Sequence, residues 1–229
     1  MYKYLFIIFI IVFNSLQSQT QNSTNTNIIG QGDLSNGFWV LSNPTLKQIE
    51  GSPYLFDSWY QTGKLFFGDK VYSINALNYN ISAERFEAKI SEDSVFALNH
   101  GGFNKVLING KSFSRHLDPD FQRNTYFENV IQFKDMLLLK KYVLKIVEGQ
   151  INPMTRKKIQ PDRFIKNEKF YVLVGEPVNM EEVKLKKSSI LQLINDNEIS
   201  KVKNFAKKNK LGFNNIDDVY KILNYYNSL

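Results

Sequence analysis

From Gly37 to Phe133 the apolar positions fall in short alternating or aromatic-rich runs separated by turn residues, the pattern of antiparallel strands. It predicts strands at Phe38 to Leu41, Lys64 to Phe67, Lys70 to Asn75, Arg85 to Ile90, Ser94 to Leu98, Lys105 to Ile108, Lys111 to Ser114 and Thr125 to Gln132, then a longer one from Met136 to Val147. Asn109-Gly110 predicts a type I′ hairpin within Lys105 to Phe113, because both residues tolerate positive φ. Phe67-Gly68-Asp69-Lys70 predicts a second tight turn. Strands so close in sequence leave no room for crossover helices, so the sheet is expected to be antiparallel.

The pattern changes after Val147. Residues 148–169 hold Pro153, Pro161 and the cluster Arg156, Lys157, Lys158, Arg163, Lys166, and read as a long, exposed basic loop. Phe170 to Val174 returns as a strand, and Val183 and Leu185 alternate with Lys184 and Lys186 as an edge strand would. From Ser189 the period becomes helical, through Ile190, Leu191 and Ile194 and then Ile199, Val202, Phe205 and Ala206. Asn195 or Asp196 offers a cap with Glu198 in capping-box position, and Gly212 offers a left-handed stop. A last helix starts at Asn215, carries Asp217 and Asp218 in its first turn and buries Val219, Ile222, Leu223 and Tyr226. The expected fold is α+β: an antiparallel β meander or curved sheet over 37–187, then a C-terminal helical hairpin as a cap over 188–229.

The first 13 residues, MYKYLFIIFIIVF, place Lys3 before nine apolar residues, Leu5 to Phe13. As a helix that run rises about 14 Å, too short for a hydrocarbon core of about 30 Å, so it reads as a signal peptide cleaved near Ser18. Residues 19–36, rich in Gln, Asn, Thr and Ser, read as a flexible leader. The chain is expected to be exported, periplasmic or secreted, with no transmembrane span after signal removal. With no cysteine it is not a lipoprotein.

Composition narrows the chemistry. A 14% aromatic share beside 22% charged residues excludes a disordered chain, and zero Cys excludes disulfides, thiolate metal sites and cysteine nucleophiles. Residues 1–125 carry 10 basic and 10 acidic side chains and 126–229 carry 19 and 12, so the net +7 lies in the second part. Lys201, Lys203, Lys207, Lys208 and Lys210 on one helix invite a nucleic-acid reading, but an exported protein rarely meets nucleic acid. The same charge suits an anionic envelope surface, an acidic polysaccharide or other envelope proteins.

Only His100 and His116 offer imidazole bases. Asn99-His100-Gly101-Gly102 resembles an oxyanion-hole turn of some esterases but lacks the Gly-x-Ser-x-Gly elbow, and reads as a strand-to-strand turn. His116, Asp118 and Asp120 form a polar patch that would suit a metal or a hydrolytic site if they converged, although Pro119 makes a turn the simpler reason for the acids. Gly110-Lys111-Ser112 matches only the tail of a phosphate-binding loop. The acid pairs Glu92-Asp93, Glu181-Glu182 and Asp217-Asp218 read as turn or capping residues. Tyr54, Phe56, Trp59, Tyr60, Phe66, Phe67 and Tyr72 would stack on sugars or pack as core and cross-strand pairs. Asn22 and Asn80 head glycosylation sequons.

Gly51-Ser52-Pro53-Tyr54-Leu55-Phe56, the Phe67-Gly68-Asp69-Lys70 turn, Leu77-Asn78-Tyr79-Asn80 and an ending through Lys207-Lys208-Asn209-Lys210-Leu211 and Tyr225-Tyr226-Asn227 resemble exported proteins of unknown function from Bacteroidota. The resemblance implies a β-rich body, a Lys/Asn-rich helical tail and an envelope or secreted address. The expectation is an exported, non-catalytic protein acting through surface contacts, with no metal or cofactor. The alternative is a periplasmic carrier holding a small apolar or sugar ligand in an aromatic-lined sheet.

Overall fold

The computed structural model describes residues 37–40, 49–92, 94–99, 102–175 and 179–229. The expected signal peptide and leader lie outside the described residues, as do His100 and Asp93. The elements are β1 Phe38–Val40, β2 Gly63–Phe67, β3 Lys70–Ile74, β4 Leu77–Asn80, β5 Arg85–Lys89, β6 Val95–Ala97, β7 Lys105–Ile108, β8 Lys111–Asp118, β9 Arg123–Phe133, β10 Met136–Val147, β11 Arg163–Val174, β12 Asn179–Glu182, α1 Lys187–Leu191, α2 Asp196–Lys208 and α3 Ile216–Asn227.

The paired strands are antiparallel and build two sheets, ordered β1-β6-β5-β4 and β12-β11-β10-β9-β8-β7-β2-β3. From β7 to β12 the large sheet is a meander. The expectation of one sheet needs correcting, because β4 to β6 leave to form a second one with β1. β4 itself escapes the alternation rule because Asn78 and Asn80 are buried along with Leu77 and Tyr79. The Asn78 amide substitutes for a strand partner: its Nδ2 donates to Phe56 O (2.8 Å) and its Oδ1 accepts from Phe56 N (3.1 Å).

Other boundaries move for local reasons. β11 begins at Arg163, inside the expected loop, because all twelve of its residues pair with β10 from Met136–Val174 to Val147–Arg163. β8 runs on to Asp118, so the turn is confined to 119–122. The edge strand is β12 rather than 183–185. The Asn109-Gly110 turn takes the positive φ angles expected, 48° and 73°. A short α1 precedes the helical pair. Asn195 stands at the α2 N-cap without a side-chain capping bond, whereas the Asn215 side chain accepts from Asp217 N and Asp218 N at α3. The left-handed residue ending α2 is Lys210 (φ 55°), with Leu211 N reaching back to Ala206 O (2.9 Å), and not Gly212.

The small sheet and the helices cover the same face of the large sheet, side by side. Leu138 of β10 packs with Ile190, Val202, Ile222, Leu223 and Tyr226 of the helical layer, while Tyr142, two positions of alternation further on, packs with Tyr79, Phe86 and Phe113 between the sheets. On β9 the same arrangement requires a bulge. Leu138 faces Ile131 but Leu139 faces Asn129, so Val130 is the extra residue that returns Ile131 and Phe133 to the face used by Tyr126 and Glu128. Phe127, Leu139 and Tyr171 form a third buried cluster on the reverse face. Among the described residues no helix is long and apolar enough to cross a membrane.

The bulge makes a sharp prediction. Deleting Val130 turns Ile131 and Phe133 away from the helices and is expected to abolish cooperative urea unfolding. Val130→Ala, which keeps the register, is expected to cost only about 1 kcal/mol.

Candidate functional site

β10 stays beside β9 only from Met136 to Lys140; beyond that point it pairs with β11 alone. The two strands part at Lys140-Lys141, whose side chains point to opposite faces and are only 5% and 3% exposed. A buried ammonium requires matching carboxylates. Lys140 Nζ lies 3.4 Å from Glu128 Oε2 and 3.3 Å from Glu168 Oε1, and sits over the Tyr142 ring. Glu128 also receives Lys111 at 2.9 Å and the Tyr142 hydroxyl. Burial first, and then the hydrogen bond to Glu128, push the Tyr142 phenol far above its usual range, so it stays a donor. On the other face Lys141 pairs with fully buried Asp118 and with Glu84 Oε1 (3.3 Å), and lies over the Phe121 ring. Glu84 belongs to the β4–β5 turn and also holds Arg123 (2.7 Å), so the small sheet is tied to the fork by charge.

The patch read from the sequence comes apart here. Asp118 is held by Lys141, and Asp120 is held by Lys169 (2.8 Å) and by the Tyr171 hydroxyl (3.1 Å). The Lys169 hydrogen bond, against a smaller opposing effect of burial, keeps the Asp120 carboxyl below the ordinary carboxylate range. His116 turns to Ser114, with Nε2 2.7 Å from Oγ, and the Phe127 ring stands at its edge. Among the described residues no three His, Asp or Glu side chains gather as metal ligands would. The three patch residues thus serve three separate contacts.

The remaining candidates resolve similarly. Lys111 is spent on Glu128 and Gly110 on its turn. Asp217 and Asp218 sit over the α3 N-terminus, Glu181 and Glu182 line the β12 edge, and the α2 lysines are exposed around buried Val202 and Ala206. Asn80 is buried and its amide donates to Glu87, so the folded chain does not present that sequon; Asn22 lies outside the described residues. The Tyr54 hydroxyl donates to Glu87 (2.6 Å), Trp59 meets Tyr54 edge-on, and Phe67 packs on Tyr72 and Phe103. Of that stretch only Tyr60 stands almost free, 94% exposed beside an open groove of about 480 Å³. Between the sheets Tyr79, Phe86, Phe103, Phe113 and Tyr126 fill the space with ring centroids 4.9 to 6.4 Å apart.

The basic segment gives a better-formed surface. Gly149 lies so close to the Gln160 carbonyl that a Cβ would collide with it, and Gly149 N donates to Asp162 Oδ1 (2.9 Å). This bond, reinforced by Lys158 (2.6 Å), holds the Asp162 carboxyl below its ordinary range. Ile151 bridges to Lys158, and between them Asn152 organises the apex. Asn152 N donates to Lys157 O, Arg156 N donates to Asn152 O (each 2.8 Å), and the Asn152 Oδ1 accepts from Met154 N (2.9 Å) and Thr155 N (3.1 Å). Arg156 completes the turn at φ 54°. The loop displays exposed Arg156, Lys157 and Lys158 next to Ile151 (52% exposed), Met154 (93%) and Ile159 (62%). The cations were legible in the sequence. The exposed aliphatic side chains were not, since isolated apolar residues in a polar run carry no signal of orientation.

Neither a protein-family model nor a curated protein nor a solved structure matches the chain.

Two outcomes test the buried chemistry. Lys141→Met leaves buried Asp118 without its cation, while Glu84 keeps Arg123, and is expected to cost about 3–5 kcal/mol in urea unfolding, part of which returns when Asp118→Asn is added. Burial pushes the His116 imidazole below its ordinary 6.5. The folded state therefore resists the proton that the unfolded chain takes up, so this contribution is complete above that value and is lost as the pH falls below it, down to the lower folded pKa. His116→Gln is expected to flatten that part of a plot of thermal midpoint against pH.

Proposed function

We propose that the chain is an exported, non-catalytic protein that acts through surface contact, and that the β10–β11 hairpin tip, residues 148–162, is its contact element. The observation that carries this is the tip itself. Its backbone is fixed by Asn152, and it presents exposed Arg156 and Lys157, with Lys158 paired to Asp162, beside three exposed apolar side chains. Export rests on the nine-residue apolar run after Lys3.

Two features weigh in the same direction. The aromatic residues between the sheets are packed against one another, which favours contact at the surface over enclosure of a ligand. The depressions at the surface, such as those of about 520 Å³ beside α2 and α3 and about 560 Å³ beside β12, are open grooves. The acids of the polar patch are engaged by lysines, which favours a structural role over hydrolysis.

Replacing residues 151–158 by Asn-Gly keeps the flanking Gln150 and Ile159 paired and removes the apex. In the producing cell the variant is expected to keep its thermal midpoint but to leave the particulate envelope fraction for the soluble one. An unchanged distribution sinks the assignment to the tip. Recovery of the intact chain from the cytosol, Met1 to Phe13 included, sinks export. Native mass spectrometry that shows a retained small molecule puts the carrier in its place.

A further inference from the structure

The chemistry of the tip also specifies its partner. We propose that the tip docks on an anionic lipid bilayer, with Met154, Ile151 and Ile159 entering the boundary between headgroups and acyl chains and Arg156 and Lys157 lying against lipid phosphates. This rests on the tip being the contact element.

Three observations carry it. The first is the kind of apolar group offered. Residues 148–162 contain two isoleucines in addition to Ile151's neighbour Met154, counting Ile151 and Ile159, and no aromatic ring. A glycan is gripped by flat ring faces, whereas aliphatic and thioether side chains gain free energy by leaving water for a hydrocarbon boundary. The second is charge. Between 148 and 166 five basic side chains stand against two acidic ones; Lys158 pairs with Asp162 and Lys166 with Asp57, so the charge the tip offers a partner rests on exposed Arg156 and Lys157. Exposed cations of this kind are what anionic headgroups attract.

The third is the backbone of the apex. Asn152, Met154, Thr155 and Arg156 all place their N–H groups on acceptors within the loop, and Pro153 has none. Asn closes turns this way in water too; the consequence here is that these apex donors would not be left unmet in a medium poor in acceptors, where each unmet donor is costly. The most exposed apolar side chain, Met154, sits in the middle of that closed run.

The chain has no cysteine, so Met154→Cys can be labelled at one site with a polarity-sensitive dye. Full-length protein is mixed with vesicles of phosphatidylcholine, with and without about one third phosphatidylglycerol. Dye emission is expected to shift to the blue with the anionic vesicles only, and the shift is expected to weaken with salt. In co-sedimentation, Arg156→Gln with Lys157→Gln is expected to weaken binding about 25-fold, and Met154→Ser about tenfold. Asn152→Ala, which frees two N–H groups without touching a charge, is expected to weaken it about fivefold. The amino-terminal run is common to all these chains, so differences between them report on the tip. All the altered side chains are at the surface of the loop, and thermal midpoints check that the fold is kept.

An unshifted dye, or equal binding of the wild type and the Arg156/Lys157 variant, overturns the bilayer. If the dye is silent while the Asn-Gly replacement still leaves the envelope fraction, the partner is an acidic polysaccharide or a protein, and the surface-contact reading survives. If the replacement changes neither, both fall.

Discussion

Two adjacent lysines buried on opposite faces of one strand set the shape of this molecule. A strand can bury successive charges only if each face supplies carboxylates, and here Glu128 and Glu168 serve one face while Asp118 and Glu84 serve the other. These acids come from β8, β9, β11 and the turn of the small sheet. Satisfying Lys140-Lys141 therefore fixes where β9 and β10 part, where the small sheet sits, and where the β10–β11 hairpin runs on without β9.

That fork separates two kinds of surface. Behind it the large sheet is covered on one face by the small sheet and the helices, with aromatic and aliphatic side chains filling the interval. Beyond it the hairpin carries β11 residues 163–169, mostly exposed or half-buried, and ends in a loop whose own side-chain and backbone bonds define its form. The stability of the loop is local, through Asn152, Gly149 and Asp162, and the stability of its base is tertiary, through the lysine pair. A loop built this way can vary at its apex without disturbing the core.

Much of the fold was open to reading. β7 and β10 stand as the alternation placed them, as do the Asn109-Gly110 turn and the start of α3 at Asn215. The misses share a cause. β4 hid behind two asparagines, Asn78 met by the Phe56 backbone 22 residues away and Asn80 by the Glu87 side chain across the strand pair, β11 hid its first seven residues behind charges, and β8 hid Arg115 to Asp118 behind a motif that resembled a ligand set. In each, a partner distant in sequence supplied the reason for the conformation. The polar patch shows the same limit: the spacing of His116, Asp118 and Asp120 looked like chemistry, and lysines from two other strands gave each acid its own occupation.

The sequence by itself determined the antiparallel class, the helical ending, the excess of positive charge in the second part and the absence of thiol chemistry, because these depend on local periodicity and composition. The tertiary structure alone decided that the strands divide between two sheets, that Lys140 and Lys141 are buried at a fork, and that Ile151, Met154 and Ile159 face outward beside three cations. Which side chains meet across a sheet, and which are left with no protein to meet, follows from long-range pairing, and a linear pattern carries no record of it.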